Sequence, residues 1–320
     1  MVEKDKKPIK TLVLSGGAVR GISILGGLQC LHDRGMLEEV DTLIGTSIGS
    51  VILYLYIIGY SPVEVMVTLC KKGFIEKLVE IDVSQLFSPQ FAVAGFHRIQ
   101  EFLETQTVEK IGHYVTLSQL KEQTGKTLVC STFNLSARKM EYLSPQTHPD
   151  LPCITALRMS CSLPLLFPPF AYNGSLFVDG GIVDDFPLSQ IDEEYGAAIG
   201  ICVVDLNINV SSVKSTDSET VVEGEDKDNI NYHKKESSFR PSNLMDLLYR
   251  IFSIFLHNLH GLTVRLYGKR CRHLFNLKVP SDVPLYRFYL TTTDKFNLFS
   301  TGYDNVRTEL EYYKKNKTVE

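Results

Sequence analysis

The chain has 320 residues, with 33 Lys and Arg against 37 Asp and Glu (a formal net charge of -4), and 44% hydrophobic, 10% aromatic and 22% charged residues. These proportions exclude a disordered, collagen-like or coiled-coil chain, and without a global positive field nothing holds nucleic acid by counterion release. At about 150 residues per domain, the length suits two domains or one large α/β unit.

Residues 11–14 form a short aliphatic run that stops at Ser15-Gly16-Gly17, and Ile22, Leu25, Leu28 and Leu31 follow at helical spacing. Gly35 supplies a left-handed stop. Residues 40–44 then predict a second strand that turns at Gly45-Thr46-Ser47 into an apolar helix, so the first sixty residues read as βαβα, the grammar of a parallel sheet covered on both faces. Ser61-Pro62-Val63-Glu64 fits a capping box for a helix running to about residue 79, and residues 87–95 read as a loop. Helices are predicted near 97–104 and 116–125, and strands at 127–133 and 139–143. A helix capped by Asp150 should end near Ser162, ahead of Pro164, Pro168 and Pro169. Strands at 176–178 and 198–205 follow. Residues 211–240 are almost wholly polar and read as an insertion; beyond them come an amphipathic helix at 242–267, late strands at 274–279 and 288–290, and a closing helix at 297–314.

Seven widely spaced cysteines (30, 70, 130, 153, 161, 202 and 271) without a CxxC pair argue against a disulfide framework or a zinc ribbon. The first residues, MVEKDKKPIK, contain no signal-like apolar run, and the longest apolar stretch, at 50–60, is too short to cross a membrane. The expectation is a cytoplasmic protein whose membrane contact is at most peripheral.

Three segments carry chemistry. Gly45-Thr46-Ser47-Ile48-Gly49 is a GxSxG placed where a strand gives way to a helix, the setting of a nucleophile elbow: Ser47 sits on a strained turn, and glycines are needed where side chains would collide. The loop Gly16, Gly17, Ala18, Val19, Arg20, Gly21 lies at the carboxyl end of the preceding strand, so it faces the same crevice and offers backbone N–H groups to an anion. It lacks the GK[ST] ending of a phosphate-binding loop. Phe177-Val178-Asp179-Gly180-Gly181 delivers a carboxylate onto a two-glycine turn, where burial would make Asp179 a better base than its ordinary value allows. A Ser-Asp-His triad would instead need His233, His257, His260 or His273, none of which sits in a turn after a clear strand.

With SGGAVRG, GTSIG and RMSCSLPLLFPPFAYNGSLFVDGGIVDDFP in this order over about residues 10–205, the chain resembles the patatin-like phospholipases. The resemblance implies a three-layer α/β fold with a mostly parallel sheet. It also implies a single domain over 1–320, with 241–320 completing the fold, and a Ser47–Asp179 dyad with the 16–21 loop as oxyanion hole. Gly180 and Gly181 would support the Asp179 turn, and no cofactor or metal would be required. The activity implied is hydrolysis of phospholipid or related acyl esters through an acyl-enzyme, at a transient membrane surface. Two departures stand out, Ala18 where members usually have glycine and Asp185 where they often have Asn. Arg20, unfavourable to the helix dipole at a helix start, is a candidate for headgroup contact. Phe87, Phe91 and Phe96 could line an acyl channel or pack as core. The 242–267 helix suits either a place on the sheet, the commoner use of its pattern, or a membrane interface. Two other functions use the same residues: acyl transfer to an acceptor other than water, or an inactive lipid-binding or interaction module. The sequence does not speak to oligomeric state.

Overall fold

The computed structural model describes residues 8–89, 91–192, 198–205, 244–279 and 288–317; the polar stretch 211–240 and His233 lie outside them. The predicted βαβα start is present as β1 (Thr11–Leu14), α1 (Gly21–Asp33), β2 (Thr42–Thr46) and α2 (Ile48–Ile57). Gly35, at φ 65, ends α1 as expected. The second strand begins later than the apolar run, because Val40 closes a turn onto Leu37 O and packs into the core.

Further along, Ser61 and Glu64 make a reciprocal capping box for α3 (Pro62–Leu69). The helix predicted to reach residue 79 breaks, however, and α4 (Phe74–Leu78) starts afresh after the left-handed Gly73. Next come α5 (His97–Ile111), which outruns its predicted end, and α6 (Leu117–Thr124), capped by Thr116 and stopped at Gly125. β3 (Thr127–Asn134) and β4 (Lys139–Leu143) follow. The helix expected to be capped by Asp150 is α7 (Cys153–Ser160), whose N-cap is Pro152 with no side-chain cap bond. A strand missing from the sequence reading, β5 (Phe170–Tyr172), forms a hairpin with β6 (Ser175–Asp179). Its turn is Asn173-Gly174, both at positive φ, the two-residue pair that matches strand twist. The chain continues with β7 (Ala198–Asp205), α8 (Leu244–Tyr267), β8 (Cys271–Val279) and α9 (Thr292–Lys317). No strand forms at 288–290; Phe288 and Leu290 are apolar because they are buried in the core.

The eight strands among the described residues make one mixed sheet in the order β5-β6-β3-β2-β1-β7-β8, with β4 on β3. The centre, β3-β2-β1-β7-β8, is parallel as predicted, and β4, β5 and β6 run antiparallel to their partners. Alternate residues of β1 divide the core. Leu12 and Leu14 join the large cluster with α1 and α2, while Val13 joins a smaller one with Phe186, Leu188 and Cys202, against which Val264 and Tyr267 of α8 pack.

Strand β3 positions the site. Its residues 130–134 pair with β4 along one edge. On the other edge, β2 runs parallel to β3 and ends at Thr46 opposite Ser131, while β6 runs antiparallel and ends at Asp179 opposite Thr132. Two strands therefore approach along one edge of β3 from opposite directions, and their carboxyl ends meet at adjacent register positions.

Candidate active site

Ser47 follows β2 at φ 53 and ψ -125, a left-handed conformation that costs a non-glycine residue about 1–3 kcal/mol. The strain is held by packing on every side. A Cβ on Gly45 would lie 2.6 Å from Ser50 N, and one on Gly49 would lie 2.5 Å from Ser15 O, so only glycine lets α2 begin so close to β1 and β2. The Ser47 N–H donates to Ser160 Oγ at 2.9 Å, and Ser160 in turn contacts Ser50 Oγ at 3.1 Å. Thr46 Oγ1 is tied to Ser131 Oγ at 2.6 Å and to Asp184 O at 3.1 Å.

Asp179 is 1% exposed. Its N–H donates to Ser162 O at 3.0 Å, and its Oδ1 accepts the Gly181 N–H at 2.8 Å. Its Oδ2 is buried with no hydrogen-bond partner within 3.5 Å among the described residues. Burial pushes the carboxyl up from an ordinary 3.8 to about 7, opposed by the nearby Ser47 hydroxyl and the Gly181 N–H. A desolvated carboxylate with one uncommitted oxygen beside a hydroxyl is chemically fitted to take up that hydroxyl's proton. Gly180 is required sterically, since a Cβ there would lie 2.5 Å from Ser131 Oγ and 2.8 Å from its backbone carbon; at Gly181 a Cβ would make a tight contact of 3.1 Å with Asp179 Oδ1.

The glycine loop lies alongside. A Cβ on Gly16 would come 3.6 Å from Ser47 Cβ, and one on Gly21 would press on Ile48 Cγ1 at 2.7 Å. The loop's own backbone bonds use the N–H groups of Gly16 (to Asp185 O, 3.0 Å), Arg20 (to Gly17 O, 2.9 Å) and Gly21. Those of Gly17, Ala18 and Val19 are outside that set. Ala18 adopts φ 46, a conformation that glycine would enter without steric cost. Arg20 is 6% exposed, so a headgroup could meet it only inside the fold.

Several residues of the site carried no signal of their own in the sequence. Besides Ser160 and Ser131, Cys161 lies within reach of the Ser47 hydroxyl, its thiol raised well above the ordinary range by burial and by the Asp179 charge. Arg158, stacked over the Phe96 ring at 4.5 Å, donates to Ser162 Oγ and Pro168 O and so ties down the segment leading to Asp179. Asp185, singled out in the sequence as a departure from the family's usual Asn, places Oδ1 against Gly16 and Gly181, beside the Asp179 turn. Burial first, then the Asp179 and Asp184 charges, raise it to about 7.

An apolar cavity of about 160 Å³ is lined by Ser47, by Val51 and Leu55 of α2 and by Leu103, with Cys161 and Phe96 also in its wall. Of the three phenylalanines considered above, Phe96 lines the cavity, Phe91 is exposed, and the side chain of Phe87 lies outside the described residues. His260 stacks on Phe186 and His273 on Phe275, and the groups acting on Asp179 are Ser47 and Gly181. Among the described residues, no group of three or more His, Cys, Asp or Glu side chains is arranged to hold a metal.

A mixed α/β sheet with a serine at a strained strand-to-helix turn, facing a buried Asp-Gly-Gly carboxylate, defines a class of acyl-hydrolase folds. The chain belongs to the patatin-like phospholipase family, whose sequence model matches residues 12–192. It is 35% identical over 187 residues to the probable lipid hydrolase 463L of Invertebrate iridescent virus 6, a match covering 57% of this chain and 63% of that protein. It is also 30% identical over 181 residues to the lysophospholipase NTE1 of Saccharomyces cerevisiae, covering 56% of this chain but 10% of that one. The crystal structure of VipD from Legionella pneumophila superposes with a TM-score of 0.52 at 14% identity, covering 95% of this chain and 67% of that chain, a likeness of fold.

Proposed function

We propose that the protein is a lipid acyl hydrolase in which Ser47 is the nucleophile and Asp179 its general base. The observation that carries this reading is the junction on β3, where a hydroxyl on a strained turn, in the wall of an apolar cavity, meets a desolvated carboxylate. Asp179 Oδ2 takes the Ser47 proton as Oγ attacks the ester carbonyl. The proton then passes to the departing alcohol, leaving an acyl-enzyme, and water activated by the same carboxylate releases the fatty acid. The tetrahedral oxyanion is held by N–H groups of the 16–21 loop. Gly17, Ala18 and Val19 are the candidates, because the N–H groups of Arg20 and Gly21 are spent within the loop and that of Gly16 on Asp185 O, and one such donor is worth about 2.7–4 kcal/mol of barrier.

The cavity suits the acyl chain. Its lining is almost wholly apolar and its volume close to the roughly 150 Å³ space that holds benzene in a protein core, so one chain fits with only its first carbons enclosed. The substrate class is therefore a phospholipid, lysophospholipid or related acyl ester, drawn transiently from a lipid surface.

The test is a fluorophosphonate probe followed by peptide mapping. Labelling at Ser47 that is lost in Ser47→Ala, with hydrolysis of a p-nitrophenyl ester lost in parallel, is the expected result. A folded wild-type protein that neither labels nor turns over would leave a lipid-binding module, and label with ester cleavage only when an acceptor alcohol is present would make it an acyltransferase.

A further inference from the structure

Helix α8, the 24-residue crossover from β7 to β8, points its apolar residues the wrong way for a helix laid on a sheet. Toward the sheet it presents His260, 3.6 Å from Cys202 Sγ and stacked on Phe186, together with Val264 and Tyr267. Away from the sheet it exposes Leu247, Ile251, Ile254, Phe255, Leu262 and Leu266, each between 41% and 62% exposed. At 3.6 residues per turn these six share one arc of about 120°. The only other exposed described positions of α8 are Asn258 and Arg265, both on the apolar arc, and the exposed Lys269 follows just past the helix end.

The geometry points to α8 as the surface by which this protein docks on an anionic lipid bilayer, lying in the interface with its outer stripe among the acyl chains. Charge and shape choose this occupant. The described exposed positions of the helix include no acid, and the cations Arg265 and Lys269 at one end complement phosphate and carboxylate headgroups. A helix of 24 residues is about 36 Å long, so the stripe is a continuous line rather than a pocket. Among the described residues no helix is long and apolar enough to cross a membrane, so the contact lies on the surface and does not span. Because β7 and β8 are parallel, α8 runs back along the sheet and begins at the carboxyl edge of the strands, the edge that carries Ser47. The inference deepens the proposed function by naming the phase from which the acyl chain is taken, but binding alone reads it out.

The experiment uses the full-length Ser47→Ala protein, so that failure of turnover bears on the hydrolase reading and not on this one. Co-sedimentation is measured with vesicles of phosphatidylcholine alone and of phosphatidylcholine mixed with phosphatidylserine. Binding to the mixed vesicles is expected. Ile254→Glu combined with Phe255→Glu, or Leu262→Glu alone as a second check, should weaken it at least about tenfold while leaving thermal unfolding unchanged. Arg265→Glu with Lys269→Glu should remove the preference for the anionic vesicles. Absence of vesicle binding by the parent protein, or full binding by the glutamate variants, overturns the assignment. So does a concentration-dependent dimer in sedimentation velocity that the same variants dissolve without touching vesicle binding, which would give the stripe to a second copy of the chain.

Discussion

Replacing Asp179 with Asn should abolish turnover and at the same time change how stability depends on pH. The carboxyl is 1% exposed and held at about 7 by burial, against 3.8 in the unfolded chain. Between those values the native state retains a proton that the unfolded state has released, so wild-type stability falls as the pH rises from about 4 to about 7 and is level above. At 1.36 kcal/mol per pH unit the whole loss is about 4 kcal/mol, of which about 2.5 falls between pH 5 and pH 8. The amide of the variant has no such proton to lose. Urea denaturation of Asp179→Asn and wild type at pH 5, 6, 7 and 8 should therefore show the variant gaining on wild type by about 2.5 kcal/mol across that range, on top of any constant offset from its buried amide. A stability gap that stays constant with pH would refute the claim that Asp179 is a desolvated, proton-retaining carboxyl, and with it the reason for its basicity.

Under the proposed mechanism the same titration governs rate. Hydrolysis of a soluble ester should rise about tenfold per pH unit below about 7 and flatten above it, and an acid limb with its midpoint under pH 5 would exclude Asp179 as the base. Asp185→Asn removes the second carboxyl raised to about 7; the gain in stability from combining it with Asp179→Asn should be less than additive, because the Asp179 charge is part of what raises Asp185. Leu55→Phe should fill the cavity beside Ser47 and lower the octanoate-to-acetate ratio of kcat/KM for p-nitrophenyl esters by about tenfold or more; an unchanged ratio would place the acyl chain elsewhere. Gly49→Ala drives a methyl to 2.5 Å from Ser15 O on the backbone beyond β1 and should cost about 2 kcal/mol or more in thermal or urea unfolding.

Local chemistry wrote much of this fold into the sequence. The Ser61–Glu64 and Thr116–Gln119 capping boxes, the left-handed stops at Gly35 and Gly125, and the strand at 139–143 all form as their residues dictate. The departures have local causes as well. Gly73 breaks a helix that its apolar neighbours would otherwise carry on, and Asn173-Gly174 closes a hairpin in a stretch whose prolines suggest an irregular path. An apolar run at 288–290 marks burial without a ladder. The orientation of α8 lies beyond any reading of periodicity, since an amphipathic pattern states that two faces differ and leaves open which one the protein keeps.

The site divides along the same line. Strain at Ser47 is legible because its cause is local: a strand, a tight turn and glycines at both flanks. The extent to which Asp179 is raised is not, because desolvation belongs to the assembled surroundings, with Ser162, Ser131 and the glycine turn closing over a residue 132 positions away from the serine. What connects the two is β3, whose Ser131 and Thr132 receive the ends of β2 and β6 in adjacent registers. A slip of one residue in either pairing would carry its residue about 3.3 Å along the sheet and turn it to the opposite face, separating hydroxyl from carboxyl. Thr132, donating to Val178 O at 2.9 Å, and Ser131, bonded to Thr46, therefore fix the two registers that bring Ser47 and Asp179 together, the juxtaposition on which the proposed proton transfer depends.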